Sequence, residues 1–252
     1  MPCRIGMIRK LSFTPTSLMR EVMTIKPSLQ LQNHRGHTVL AYAPGSAPLV
    51  VDCGAHKGEF ATSVTAAWGA KCHSIEAAPD LAAKLDVPAS TTTHHFAVSG
   101  QEGEIAFQLT DNAEGSHFTD ELGEGCVMVP QRHLGNFLSE VAPDGLDLLK
   151  LDIEGAEIPA LESLSDAQLA GIAQITCEFH DFCGYVTPQA VDAAIARLEA
   201  AGFAVIPFSW HTRGDVLFVN RKLVPLGIAA NLRIAAYRYA KGLGRILSRL
   251  GR

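Results

Sequence analysis

The sequence is short of the features that mark several common protein classes. No run of eighteen apolar residues occurs among its 252 residues, which excludes a membrane-spanning helix, and the N-terminal stretch lacks the continuous apolar segment of a secretory signal. There is no C-x-x-C pair: the six cysteines are scattered at positions 3, 53, 72, 126, 177 and 183, several of them inside apolar runs where a thiol acts as a small hydrophobe. That usage fits a reducing, cytoplasmic setting. The G-x-G-x-x-G run of dinucleotide enzymes is missing, which argues against a nicotinamide-dependent oxidoreductase. Internal repeats and low-complexity tracts are also lacking. Acid is absent from both ends: the first twenty residues carry Arg4, Arg9, Lys10 and Arg20 alone, a start expected to be disordered, and residues 221 to 252 hold eight Lys and Arg. Residues 1 to 220 then hold 13 basic against 26 acidic groups, a net −13, which speaks against a broad nucleic-acid surface because phosphate binding needs clustered cations.

What is present is a 47% hydrophobic chain of a length that suits one α/β domain with extensions. The pattern divides it into an arm, 1–36, a domain, 37–222, and a basic tail, 223–252. Short apolar runs predict strands near 38–42, 48–53, 71–76, 92–98, 104–109, 126–129, 146–152, 172–180, 203–208 and 214–220. Helical spacing fits 57–68, 79–86, 134–141, 156–163 and 188–201. This alternation implies crossover connections and a doubly wound, mostly parallel sheet, with the last two strands forming an antiparallel hairpin through Gly214. The acidic, glycine-rich stretch from Thr110 to Gly125 reads as a long loop placed to cover an active site.

Two strand-to-loop runs carry the chemistry. In LVVDCGAHKGEF, Leu49 to Phe60, an apolar strand ends in Asp52 and is followed by glycines at 54 and 58, which let backbone approach a ligand and let a helix start close to the sheet. An acid at that strand end, with no third glycine, suits a zwitterionic or cationic ligand such as S-adenosylmethionine. In KCHSIEAAPD a short strand ends at Glu76, twenty-two residues after Gly54, where an acid grips ribose hydroxyls. In LLKLDIEGAE, Leu148 to Glu157, an apolar strand ends in Lys150, Asp152, Glu154 and Glu157, at the edge where an open α/β sheet keeps its ligand crevice.

Taken in order and spacing, D-C-G-A-H-K-G-E-F, S-I-E-A-A-P, F-A-V-S-G-Q-E-G-E-I-A-F, L-L-K-L-D-I-E-G-A-E and C-E-F-H resemble the FkbM-type S-adenosylmethionine-dependent methyltransferases, from about Leu49 to Asn220. The resemblance implies a seven-stranded, Rossmann-like methyltransferase sheet and O-methylation of hydroxyl groups on sugars, glycolipids or other metabolites. By it, Asp52, Gly54, His56, Gly58 and Glu76 map onto cofactor positions, and Ala97 to Ser99 lie where adenine would pack. Where the family often has an acidic pair before the helix at Phe137, this chain has Gly135 and Asn136.

On the acceptor side, an alcohol must lose its proton or meet a metal before it takes a methyl group. Asp152, Glu178 and His180 are the catalytic candidates, with Glu154 and Asp181 beside them, and Lys150 shares a strand face with Asp152. Glu157 also reads as a helix-start acid meeting the dipole. A divalent metal is possible but not expected: Asp152, Glu178 and Asp181 offer oxygens, while Cys177, His180 and Cys183 lack a fourth ligand and zinc-type spacing. His34 and His37 read as solvated or strand residues. In the tail, Ile228, Leu232, Ala235, Tyr239, Leu243, Ile246 and Leu250 form one helical stripe, with Arg238, Lys241, Arg245, Arg249 and Arg252 on the other side. Such a basic amphipathic helix either lies on an anionic membrane face carrying a lipid-linked acceptor or packs back on the acidic body. A non-catalytic scaffold that keeps the cofactor fold and recruits a partner through the tail is the rival reading.

Overall fold

A computed structural model describes residues 24–108, 117–119, 125–209 and 212–250. The first element among the described residues is a hairpin, β1 (Leu31–His34) and β2 (His37–Leu40), turning at Arg35 and Gly36. Part of the segment read as an arm is therefore built into the fold.

Among the described residues the main sheet has seven strands. Its parallel part runs from β10 (Leu146–Leu151) and β11 (Ile172–Cys177) through β3 (Leu49–Cys53) and β4 (Lys71–Ile75) to β5 (Thr91–His94); β12 (Phe203–Pro207) and β13 (Val216–Asn220) complete it. The order is β12-β13-β11-β10-β3-β4-β5, with β13 antiparallel to both of its neighbours. β10 and β11 read as unbroken apolar runs because every one of their residues is buried, as parallel strands covered on both faces must be. Alternation then sorts the core: Val51, Leu149, Leu151, Ile175 and Phe218 pack on one face, and Val50, Leu148, Ala173, Leu217 and Val219 on the other.

The first face is covered by α3 (Leu134–Val141), α4 (Glu157–Glu162), α5 (Asp166–Gly171) and α6 (Pro188–Ala200). On the second lie α1 (Glu59–Trp68), the β1–β2 hairpin and α7 (Ile228–Leu250). Buried Gln174 of β11 docks the hairpin, its Oε1 accepting from Leu40 N at 2.8 Å and its Nε2 donating to Leu40 O at 3.1 Å. α7 docks through Ala230 and Ile234, through Lys241, which bonds Asp215 at 2.6 Å and Thr38 Oγ1 at 2.8 Å, and through Tyr237 edge-on to Phe208. Among the described residues no helix is long and apolar enough to cross a membrane.

Several boundaries move, for local reasons. The strand expected at 92–98 divides: β5 closes the main sheet, whereas β6 (Ala97–Ser99) joins β7 (Gly103–Gln108), β8 (His117–Thr119) and β9 (Cys126–His133) in a second sheet of order β6-β9-β7-β8. Apart from β8, most of the loop expected at 110–125 lies outside the described residues. α1 starts two residues late because Gly58, at φ +82°, serves as its N-cap, and the helix expected at 79–86 is the short α2 (Pro79–Ala82). The strand expected to reach residue 180 stops at Cys177, and His180–Cys183 form a 3-10 turn. α5 was not expected, although Ser165 and Gln168 form a capping box that is legible in sequence.

Candidate functional site

The strand ends and the loops after them enclose a cavity of 490 Å³, a size that suits a small-molecule site. Its floor is the loop after β3. Gly54 has φ +81°, and a Cβ there would stand 1.8 Å from the Asp152 carbonyl oxygen, so only glycine lets the ends of β3 and β10 close together. The loop is pinned to β4 by Gly54 N and Ala55 N, which donate to Ile75 O at 3.0 and 2.9 Å. Glu76 completes the clamp: Oε2 accepts from His56 N at 2.7 Å and Oε1 from Ala78 N at 2.9 Å. Burial raises the Glu76 carboxyl above its ordinary range, against the pull of those two backbone donors.

Four expected cofactor residues sit elsewhere. Asp52 is fully buried beneath the loop, its Oδ1 3.1 Å from Lys150 Nζ, and does not line the cavity. Gly58 faces Val87 and Asp86, where a Cβ would meet the Val87 side chain at 2.4 Å, so its work is to seat α1. Ala97 and Ser99 point away and Ser99 bonds Gln131; strand alternation puts Phe96 and Val98 on the cavity wall instead. Gly54, His56 and Glu76 do line it, along with Asp152, Glu178 and His180.

Lys150 organises the acidic side. Buried, it donates to Gly54 O at 2.5 Å and lies 3.1 Å from Asp52 and 3.5 Å from Asp152. Desolvation opposes its charge, but Asp52 and Asp152 outweigh that and hold it protonated. Burial likewise works against the Asp152 anion, yet Lys150, a hydrogen bond from His37 and the charge of His180 drive its pKa well below the usual carboxylate range. His37 Nε2 meets Asp152 Oδ2 at 3.3 Å while Nδ1 faces Thr176 Oγ1 at 3.3 Å. Its place on a hairpin folded over the sheet left no trace in sequence spacing.

His180 lies between three acids. Nδ1 is 2.8 Å from Glu157 Oε1, and Nε2 is 3.3 Å from Glu154 and 3.7 Å from Asp152. Desolvation alone would lower its pKa; the bond and charge of Glu157, with Glu154 and Asp152, instead push it up to about 9. Glu157, expected to serve only the helix dipole, is fully buried and also accepts from Ile153 N and Gly155 N. It thereby fixes the turn in which Glu154 takes φ +52°, a backbone conformation that costs a non-glycine residue energy. Burial and the Asp152 charge raise Glu178 to about 7. Asp181 leaves the cluster for Arg213, at 2.7 Å, which dissolves the metal set that included it. Among the described residues two other sets, His37–Asp152–Glu178 and Asp152–Glu154–His180, bring ligand atoms within 4.8 Å of one another.

Part of the chain, 106 residues or 42% of it, is 38% identical to the AMB antimetabolite synthetase AmbE of Pseudomonas aeruginosa, but spans only 5% of that protein's length. The precorrin-6y C5,15-methyltransferase of Geobacter metallireducens superposes with TM-score 0.33 at 13% identity, over 63% of this chain and 65% of that one. The model of the methyltransferase FkbM domain matches residues 52–205, more than half of the chain, and the protein accordingly belongs to the FkbM methyltransferases.

Proposed function

We propose that the protein transfers a methyl group from S-adenosylmethionine, which methyltransferases of this family generally use, to a hydroxyl of a sugar, glycolipid or other small metabolite. The observation that carries this reading is the placement of Glu178, Asp152 and His180 in the same cavity as Glu76. The residues present fit the cofactor. The free lone pairs of Glu76 suit ribose hydroxyls, Phe96, Val98, Leu81 and Ala77 offer an apolar wall for a flat base, and the backbone at Gly54–His56 suits the amino-acid end. When bound, the cofactor supplies an electrophilic methyl on a sulfonium.

Displacement at such a methyl is in-line, so much of the acceleration comes from holding the partners aligned. Glu178, titrating near neutrality, takes the proton of the acceptor hydroxyl. His180, kept cationic by Glu157, donates from Nε2 to fix that oxygen, and Asp152 holds its charge throughout. Asp152→Asn should retain cofactor affinity and lose turnover, read as methyl-labelled product across a panel of neutral hydroxyl compounds. Cofactor binding with no product from any hydroxyl acceptor would favour the non-catalytic scaffold. Turnover abolished by a chelator and restored by Mg²⁺ would reassign the two mixed histidine–carboxylate sets as a metal centre.

Glu76→Ala removes both a ribose acceptor and the clamp on His56 N, and cofactor affinity should fall by about 1.5–3 kcal/mol, the range for hydrogen bonds to a charged group. Calorimetry on the two proteins checks this, and equal affinities would move the cofactor away from the tip of β4.

A further inference from the structure

We propose that α7 attaches the protein to an anionic membrane surface through the face it turns away from the body. Ala230, Ile234, Tyr237 and Lys241 follow one another at steps of four, three and four and form the docked side. Half a turn around the helix, Ile228, Leu232 and Tyr239 are 82%, 66% and 68% exposed. These are three of the five large hydrophobic side chains left exposed among the described residues, and they share one stripe. A helix serving only to pack against the body would bury that stripe and expose the other side.

Charge selects the occupant. Residues 221 to 252 contain eight Lys and Arg and no acid, whereas residues 1 to 220 are net −13. A second copy of the helix would bring like charge against like charge. An anionic lipid surface instead takes the apolar stripe into its interface and draws the tail by its net charge, since a helix only about 10 Å across keeps its cations within a Debye length of the surface; each adds about 1 kcal/mol, with Lys241 left on Asp215. The acidic body is repelled, which confines the contact to α7. The placement also carries a consequence for the site. Lys241 is anchored to Asp215, just before β13, and to Thr38, next to the cavity residue His37, so α7 reaches the crevice edge of the sheet. From there it continues to Leu250, about 14 Å at 1.5 Å per residue. Attachment would hold the cavity beside the lipid surface, where a lipid-linked acceptor is presented.

The test is cosedimentation of the full chain with phosphatidylglycerol-containing vesicles and with neutral phosphatidylcholine vesicles. The wild type should pellet with the first and not the second, and should be released as salt rises to about 0.5 M, where charges are screened within a few ångströms. The double variant Ile228→Glu, Leu232→Glu should bind on the order of a hundredfold more weakly, from lost burial of two large side chains. Both positions are exposed, so its thermal unfolding should match wild type. Equal binding to neutral vesicles, unchanged binding by the variant, or a wild-type dimer that the variant abolishes without any vesicle binding would each overturn the proposal. The salt release needs no substitution, and none of these readings depends on which acceptor is methylated.

Discussion

Glu178→Gln should lower turnover by about 10²- to 10⁴-fold, the span that a positioned general base contributes, and should erase the acid limb of the pH–rate profile. The wild-type profile of kcat/KM should be bell-shaped. A base must be unprotonated, so activity rises with pH through about 7, where burial and the neighbouring Asp152 charge place Glu178. A donor must be protonated, so activity falls as pH rises through about 9, where Glu157, Glu154 and Asp152 together hold His180 against desolvation. Glutamine keeps the size of the side chain and removes its titration, leaving a profile shaped only by the His180 limb. Asp152 is a poor alternative base despite its central position, because Lys150, His37 and His180 stabilise its anion and weaken its pull on a proton. If the acid limb persists in Glu178→Gln, the base lies elsewhere and Asp152 becomes the first residue to test. The profile must be measured under kcat/KM conditions, since that ratio reports the free enzyme's groups.

The sequence made the strand ends readable because β3, β10 and β11 are buried on both faces, and an unbroken apolar run that ends in charge leaves few alternatives. Asp152, Glu178 and His180 follow directly from that logic, whereas Glu76, at the end of the partly exposed β4, was legible from its spacing after Gly54. Asp52 does not: the charge that would have turned it outward, Lys150, sits on the adjacent strand in register with it, and the pair closes inward beneath the loop. The Lys150–Asp52 register is a property of strand pairing, and local sequence does not encode it. His37 was hidden for a related reason. Its hairpin is remote in sequence from β10 and reaches Asp152 only because Gln174 fastens β2 across the sheet. The 92–98 run failed on a different point, since six or seven extended residues can serve two sheets as easily as one. Phe96, between β5 and β6, is where the chain changes sheet and where alternation must be counted afresh. The tail has helical spacing and α7 runs from Ile228 to Leu250, but a helical wheel does not say which side meets the body; the buried side is the one carrying Lys241.

Glu157→Gln should cost about 3–5 kcal/mol of unfolding free energy at neutral pH, the usual penalty for removing one partner of a buried ion pair. Glu157 is fully buried, its Oε1 is 2.8 Å from His180 Nδ1, and its oxygens also hold the backbone N–H groups of Ile153 and Gly155. Glutamine retains one accepting oxygen but turns an NH₂ toward Gly155 N, so the turn carrying Glu154 loosens as the charge is lost. The effect has a signature in pH. In the wild type the folded-state pKa of His180 is raised from 6.5 to about 9, so its stabilisation is fully present below 6.5 and is lost as pH rises through about 9. Without the Glu157 charge, desolvation prevails, the raised pKa falls back, and this group no longer makes stability decline across that window. Urea unfolding at pH 6, 7.5 and 9.5 should therefore show the two proteins far apart at the lowest pH and converging at the highest. A constant gap across all three would mean that Glu157 acts through the backbone of the turn and not through the imidazolium. The same substitution should draw the alkaline limb of the pH–rate profile toward neutrality, because the group that fixes the acceptor oxygen would lose its proton earlier.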